Sequence, residues 1–314
     1  MTYLGYDIGG TKCAVIMGST DKNNNKGIKI LARREIATAD FASPYDTIAA
    51  LNSLGDELLG LNHDGLQGIG ISCGGPLDSK RGLILSPPNL PDWDNFPIVE
   101  IVKNHFKTNT VLQNDANACA LAEWKFGAAR GYENIIFLTF GTGMGAGLIL
   151  NGSLYCGHND LAGEVGHIRL DKSGPLGYGK LGSFEGYCSG GGIKRLAALL
   201  ATQSSLAEKS SIDPASTSAK QLASAMYKGD EFARFVFETS AKKLGEGLSI
   251  LIDILDPEAI VIGSIFERNS EFFTPLVQSV ISAETIDRPN SCKILPSALG
   301  DEIGDYAALS LAVN

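Results

Sequence analysis

No apolar run in the 314-residue sequence approaches the roughly 20 residues that a membrane span requires. Met1-Thr2-Tyr3 leads directly into an apolar segment with no charged leader, so no membrane partner and a cytoplasmic location are expected. Lysine and arginine never cluster, and the net charge is -9, which argues against a nucleic-acid partner whose affinity rests on neutralising phosphates. A compact anionic substrate would instead need a local cradle of donors. The six cysteines (Cys13, Cys73, Cys119, Cys156, Cys188, Cys292) are dispersed, none forms a close CxxC pair, and each lies in or beside an apolar segment. Free buried thiols are therefore expected rather than disulfides. A GxxxxGK[ST] sequence is also missing, which excludes a P-loop.

What is present is an alternation of short apolar strands and amphipathic helices. With 44% apolar residues, the chain is long enough for two lobes of ordinary domain size, each with a core and with a cleft between them. Tyr3 to Ile8 and Cys13 to Met17 read as a β-hairpin turning at Gly9-Gly10, followed by a polar loop from Thr20 to Lys26 and a strand from Lys29 to Glu35. Ile48, Leu51, Leu54, Leu58 and Leu61 recur at helical spacing. Gly68 to Ser72 returns to strand. Ser86 to Trp93, with three prolines, is expected to be a rigid surface-lining loop, and Pro97 to open a helix. Thr110 to Leu112 reads as strand and Ala118 to Phe126 as helix. Asn134 to Phe140 and Ala146 to Leu150 then repeat the opening theme of strand, glycine turn and strand. An Asn151-Gly152 turn and a strand from Ser153 to Cys156 follow, and the repeat suggests an internal duplication. Helices over 192–200, 219–227, 231–255, 270–282 and 303–313, with strands over 258–262 and 292–295, complete an α/β architecture.

Three stretches carry chemistry. In Gln113-Asn114-Asp115-Ala116-Asn117-Ala118, Asp115 falls where a strand passes into a helix, at a sheet's edge, where free helical N–H groups hold a carboxylate ionised and aimed. Such a group accepts a proton, unless it serves only as a helix cap. Gly141-Thr142-Gly143-Met144-Gly145-Ala146-Gly147 is not a dinucleotide fingerprint, because a strand rather than a helix follows. Glycine at alternate positions bares the backbone, and phosphate is the usual occupant of such N–H concavities. Asp7-Ile8-Gly9-Gly10-Thr11-Lys12 is similar: glycines to turn, Thr11 to donate, and Asp7 to hold Mg²⁺ through water. Lys12 either adds charge toward phosphate or is an exposed strand residue.

Together with Gly163-Glu164-Val165-Gly166-His167 and Asp256-Pro257-Glu258-Ala259-Ile260-Val261-Ile262-Gly263, and in this order, these motifs resemble the ROK family of bacterial sugar kinases and related repressors. The resemblance covers nearly the whole chain. It implies the two-lobed actin-like ATPase fold, a duplicated ribonuclease H-like α/β fold with a central cleft. Residues 1–113 would form a smaller lobe, with 301–314 packing back on it, and 114–300 a larger one. It implies a kinase moving the γ-phosphate of ATP to a hexose hydroxyl, most readily the 6-hydroxyl of glucose, with Mg²⁺ and with Asp115 as general base. Asn89, Asn114, Glu164, His167, Glu185 and Gly75 would contact the sugar. Asp7, Gly9, Gly10, Thr11, Lys12, Thr142, Gly143 and Gly263 would hold the nucleotide. A homodimer is the family expectation. Glucose, fructose, mannose, N-acetylmannosamine, allose and a glucoside all offer hydroxyls to the same residues, and polyphosphate donors remain open beside ATP. The competing reading is a sugar-sensing regulator. Family repressors carry a helix-turn-helix ahead of the kinase-like part, whereas this sequence starts on its first strand.

One departure concerns metal. Most family members bind a structural zinc with a histidine and a Cys-x-Cys-Gly-x-x-Gly-Cys-x-Glu segment, but here Leu176, Tyr178 and Ser183 stand where cysteines would. Zinc needs about four nitrogen or sulfur ligands, so no zinc site is expected, and packing of Tyr178 and Phe184 would have to hold this loop. A second departure is Gly263-Ser264-Ile265-Phe266, where the family has a run of glycines. Elemental analysis of the purified chain is expected to find no stoichiometric zinc; one zinc per chain would show this reading wrong.

Overall fold

A computed structural model of the chain describes residues 1–20, 27–60, 65–286 and 292–313. The polar loop expected from Thr20 to Lys26, and Leu61 at the end of the first helical pattern, fall largely or wholly outside the described residues. The chain divides into two compact units. The first comprises Met1–Glu133, Gly147–Ala162 and Ala298–Asn314, and the second Asn134–Ala146 and Gly163–Ser297.

In the first unit β1 (Thr2–Ile8), β2 (Lys12–Thr20) and β3 (Ile28–Ala37) form an antiparallel meander. Helix α1 (Pro44–Gly60) leads to β4 (Leu66–Cys73), which pairs parallel to β1. A small ladder follows, β5 (Leu77–Asp78) with β6 (Leu83–Ile84), which sequence patterning did not anticipate. The proline-rich stretch is irregular as expected, yet it does more than line the surface, because it buries Leu90 and Trp93 against the core. Next come α2 (Ile98–Phe106), β7 (Thr110–Asn114), parallel to β4, and α3 (Asp115–Phe126). The helix starts at Asp115 rather than Ala118, because the Asn114 side chain caps it by accepting the Ala116 N–H.

The remaining strands begin with β8 (Ile135–Phe140), β9 (Met144–Leu150) and β10 (Ser153–Leu154). Asn151 and Gly152, with φ of 52° and 68°, supply the two left-handed positions that a tight hairpin turn demands. Strand β10 is shorter than the sequence suggested and stops before Cys156. The hairpin β11 (Leu176–Gly177) and β12 (Lys180–Leu181) precedes α4 (Phe184–Tyr187), α5 (Gly190–Ala201), α6 (Ala219–Tyr227) and α7 (Glu231–Leu255). Then follow β13 (Ala259–Ile262), α8 (Ile265–Arg268), α9 (Ser270–Glu284), β14 (Lys293–Pro296) and α10 (Ile303–Ala312). The two sheets have the orders β3-β2-β1-β4-β7 and β10-β9-β8-β13-β14. Both place a meander beside two strands that enter from helices, the repetition the sequence suggested. This is the α/β, duplicated actin-like architecture expected. Within the second unit, buried aromatics dominate, with Phe140, Phe237 and Phe266 arranged around Phe273. Among the described residues no helix is long and apolar enough to cross a membrane.

The period-2 alternation of β1 sends Leu4, Tyr6 and Ile8 to the face covered by α1 and α2, and Tyr3 to the face covered by α3 and α10. On that second face the backbone itself is the packing surface. A Cβ on Gly5 would stand 2.8 Å from the Ala308 Cβ, and one on Gly70 would strike the Ala308 carbonyl. Helix α10 is then fastened to α3. Lys125 Nζ donates to the Ser310 and Val313 carbonyls at 2.9 and 2.5 Å, meeting the negative end of α10. The buried Glu123 carboxylate accepts N–H bonds from Ala128 at 2.7 Å and from Ala298 and Leu299 at 3.1 Å each. Removing it leaves several backbone donors without an acceptor in the interior. Glu123→Ala is therefore expected to cost roughly 2–4 kcal/mol in urea unfolding, and a change below the scatter of surface mutants would contradict this assignment.

Candidate active site

In the first unit, the ends of β1, β4 and β7 converge with the proline-rich loop. Asp115 follows β7 directly and lies in the first turn of α3, where its Oδ1 accepts the Ala116 N–H at 2.8 Å. Gly74, just beyond β4, faces both Asp115 and Asn89: a Cβ there would be 3.9 Å from Asp115 Oδ2 and from the Asn89 amide. A Cβ on Gly75 would stand 3.3 Å from Asn114 Nδ2, and one on Gly10 would collide with the Asn89 carbonyl. The structure thus gathers Gly10, Gly75, Asn89, Asn114 and Asp115. Gln113 Oε1 braces the group from behind, accepting the Asn114 N–H at 2.7 Å and the Asn117 amide at 3.1 Å.

The Asp7–Lys12 turn is partly engaged with its own fold. The Gly9 N–H bonds the Lys12 carbonyl, the Gly9 carbonyl accepts from the Thr38 hydroxyl at 2.7 Å, and the Thr11 carbonyl accepts the Thr38 N–H at 3.0 Å. Thr11 itself is exposed. The Lys12 ammonium pairs with Glu35 at 2.5 Å, and Glu35 in turn with Arg33 at 2.8 Å. Both readings of Lys12 survive, since an exposed pair of this kind is worth little and is readily exchanged.

Asp7 has neighbours that sequence reasoning missed. The start of α10 lies against it, with a Cβ on Gly304 placed 3.2 Å from Asp7 Oδ2, and Asp305 in the same turn bonds Arg33 at 3.0 Å. No local pattern in the sequence links residues so far apart. Burial first, and then the negative charges of Asp305 and Asp115, push the Asp7 carboxyl up to about 6. Asp115 is also raised. It keeps an exposed face, but the protein around it withdraws enough water to outweigh the N–H bonds that stabilise its charge. Of the two influences on its pKa, loss of solvation is the larger and the backbone N–H bonds the smaller.

Asp7, Asp115, Asp305 and Glu35 against the cations of Arg33 and Lys12 leave excess negative charge on hard oxygen atoms. That suits Mg²⁺, which keeps several waters and binds through few carboxylates. Among the described residues there is no group of three or more His, Cys, Asp or Glu that could hold a metal ion.

The second unit holds the other candidates. Glu164 and His167 bracket a single 3-10 turn, in which the His167 N–H bonds the Glu164 carbonyl at 3.2 Å, so the two do lie close. The Tyr178 ring stacks on His167 at 4.0 Å and 25°, and Lys180 Nζ bonds the His167 carbonyl at 2.8 Å. Where cysteines would stand, Ser183 instead donates to the Gly177 carbonyl at 3.0 Å and caps α4, while Phe184 is fully buried. Glu185 Oε2 accepts the Met144 N–H at 3.1 Å, which sets it against the turn carrying Thr142 and Gly143. That turn is braced from α5, whose Gly190 N–H bonds the Gly141 carbonyl at 2.7 Å. Gly263 is buried at the end of β13, and Ser264 beside it adopts a left-handed φ of 56°, its Oγ 3.6 Å from where a Cβ on Gly141 would lie.

The ROK family model matches residues 3–314. A glucokinase of Thermotoga maritima is 30% identical over 98% of this chain and 96% of its own length. The crystal structure of a ROK family glucokinase from Streptomyces griseus in complex with glucose and AMPPNP superimposes with a TM-score of 0.76 at 30% identity, over 99% of both chains. A xylose repressor of Caldicellulosiruptor bescii is 29% identical over 80% of this chain, which covers 63% of that protein.

A carboxylate raised from 3.8 to about 6 favours the folded state only while protonated, so its contribution is present below pH 3.8 and disappears as pH rises through 6. Asp7→Asn is accordingly expected to melt higher than the parent at pH 7.5 in chelator-treated buffer, by an upper limit of ~3 kcal/mol, and the gain should shrink as pH falls from 6 to 4. A gain independent of pH would refute this electrostatic account.

Proposed function

The chain belongs to the ROK family, and we propose that it is an ATP-dependent hexose kinase in which Asp115 is the general base. The observation that carries the reading is the setting of Asp115 in the first unit: a carboxylate of raised proton affinity, fixed at a strand-to-helix junction, with Asn89 and Asn114 beside it. Phosphoryl transfer asks a protein mainly for alignment, a proton acceptor and charge neutralisation. As a sugar hydroxyl attacks the γ-phosphorus, its proton passes to Asp115, the bond to the bridging oxygen breaks, and ADP leaves. A base whose pKa is shifted toward the working pH is better matched to that transfer than an unperturbed aspartate.

Asn89 and Asn114, with Gly75 keeping the approach to Asn114 open, orient the hydroxyl-bearing carbon. Glu164, His167 and Glu185 are assigned to other ring hydroxyls, and Thr142, Gly143, Gly10, Thr11 and Lys12 to phosphate oxygens. The Gly9 N–H already has an intramolecular acceptor, so Gly9 contributes the turn rather than a phosphate contact. Gly263 takes the adenosine side. Asp7 would hold a Mg²⁺ ion through water, and that ion would supply neutralisation of the phosphate charge. Glucose is the leading substrate, supported by the glucokinase relatives, and its 6-hydroxyl is taken as the acceptor. A homodimer and a cytoplasmic location complete the proposal.

The xylose-repressor relative favours a second reading, a non-catalytic sugar-sensing regulator. Coupled ADP-release assays across a panel of hexoses and amino sugars separate the two. The kinase reading expects turnover with at least one sugar, and Asp115→Asn should lower kcat by roughly 100-fold or more with little change in the KM for that sugar. A loss of only a few-fold would remove Asp115 from its role, and no turnover with any sugar, with binding retained, would favour the regulator.

A further inference from the structure

Within the second unit, the residues assigned to the sugar and those assigned to the nucleotide are joined at one side chain. Glu185 Oε2 takes the Met144 N–H at 3.1 Å, on the returning arm of the Gly141–Gly145 turn. A Cβ on Gly143 would stand 2.9 Å from the same oxygen, so the carboxylate lies against the bare backbone of the turn itself. The other side of Glu185 is packed toward the sugar residues. A Cβ on Gly166 would meet the Glu185 Cβ at 3.3 Å and the Tyr178 ring at 2.9 Å, and that ring stacks on His167.

We propose that Glu185 makes sugar and nucleotide binding synergistic; the inference rests on the sugar-kinase reading above. An amide concavity of this kind suits phosphate oxygens, yet here one of its N–H groups is held by an anionic acceptor of the same type. A polyphosphate arriving at Gly143 therefore meets both a competitor for the amide and a like charge. A polyol changes that balance. Its hydroxyls donate to the carboxylate, spread the negative charge and give Glu185 partners other than Met144. Sugar thereby lowers the electrostatic penalty for the nucleotide. By linkage, the nucleotide must tighten sugar binding by the same factor.

The test is equilibrium titration of AMPPNP with Mg²⁺, with and without saturating glucose, on the parent chain, Glu185→Gln and Gly143→Ala. In the parent, glucose is expected to tighten AMPPNP roughly fivefold or more. Glu185→Gln keeps the shape but loses the charge. It should bind AMPPNP more tightly than the parent without glucose, and the glucose effect should fall to near unity. Gly143→Ala keeps Glu185 and adds a methyl against its Oε2, so the effect should fall there too. A factor near one in the parent, or a parental factor retained in Glu185→Gln, would overturn the coupling and leave the kinase assignment standing on ADP release. Failure of the parent to bind AMPPNP at all would overturn both.

Discussion

The first unit depends on one constraint, that a strand must become a helix within a single residue while keeping a carboxylate in reach of solvent. Asn114 ends β7 and caps α3, and Asp115 occupies the helix's first turn. Gln113 holds the Asn114 N–H, so the junction has no freedom to slide. Everything behind it serves to keep α3 in place: Glu123 fastens its far end to the 298–299 backbone, Lys125 fastens it to α10, and glycines on β1 and β4 let α10 lie directly on the sheet. The site is thus a property of the packing of α3 and α10, and residues remote from the chemistry decide where the carboxylate points.

The electrostatics of the two units differ in kind. Around Asp7 burial first, and then the charges of Asp305 and Asp115, raise the proton affinity, with Arg33 as a countercharge, whereas Asp115 is raised by burial against its backbone N–H bonds. Around the Gly141–Gly145 turn the determinants are backbone amides and one carboxylate, Glu185. The first arrangement concentrates carboxylates. In the second, the Gly141, Met144 and Gly145 N–H groups bond the Gly143 carbonyl, the Glu185 carboxylate and the Thr139 hydroxyl.

Most of the fold was legible because its signals are local. The helices over 219–227 and 231–255 match the observed elements, and the Asn151-Gly152 turn has the positive φ values its residues suggest. The errors have physical reasons. The α3 start was misjudged because its cap is a residue of the preceding strand. The two-residue ladders β5–β6 and β11–β12 are too short to show a period. In the site, Asp115, Asn114 and the glycine turns were visible because each motif is contiguous. Asp305 beside Asp7, Gly74 beside Asn89 and Asp115, and the Met144 N–H beneath Glu185 were not, since each depends on pairing between distant segments. The missing cysteines were legible, but the Ser183 and Lys180 hydrogen bonds that tie that loop together were not.

The first unit is assembled from three stretches of chain, the last of which begins at Ala298. Until α10 is made, Gly5, Gly68 and Gly70 on β1 and β4 lack the helix that lies against them, and Glu123 lacks two of its donors. During synthesis, then, the sheet that bears the proposed base waits as an unfinished surface while the second unit, whose stretches all precede Ala298, already has its whole sequence. The unit that the chain begins first is thus the last to have its whole sequence.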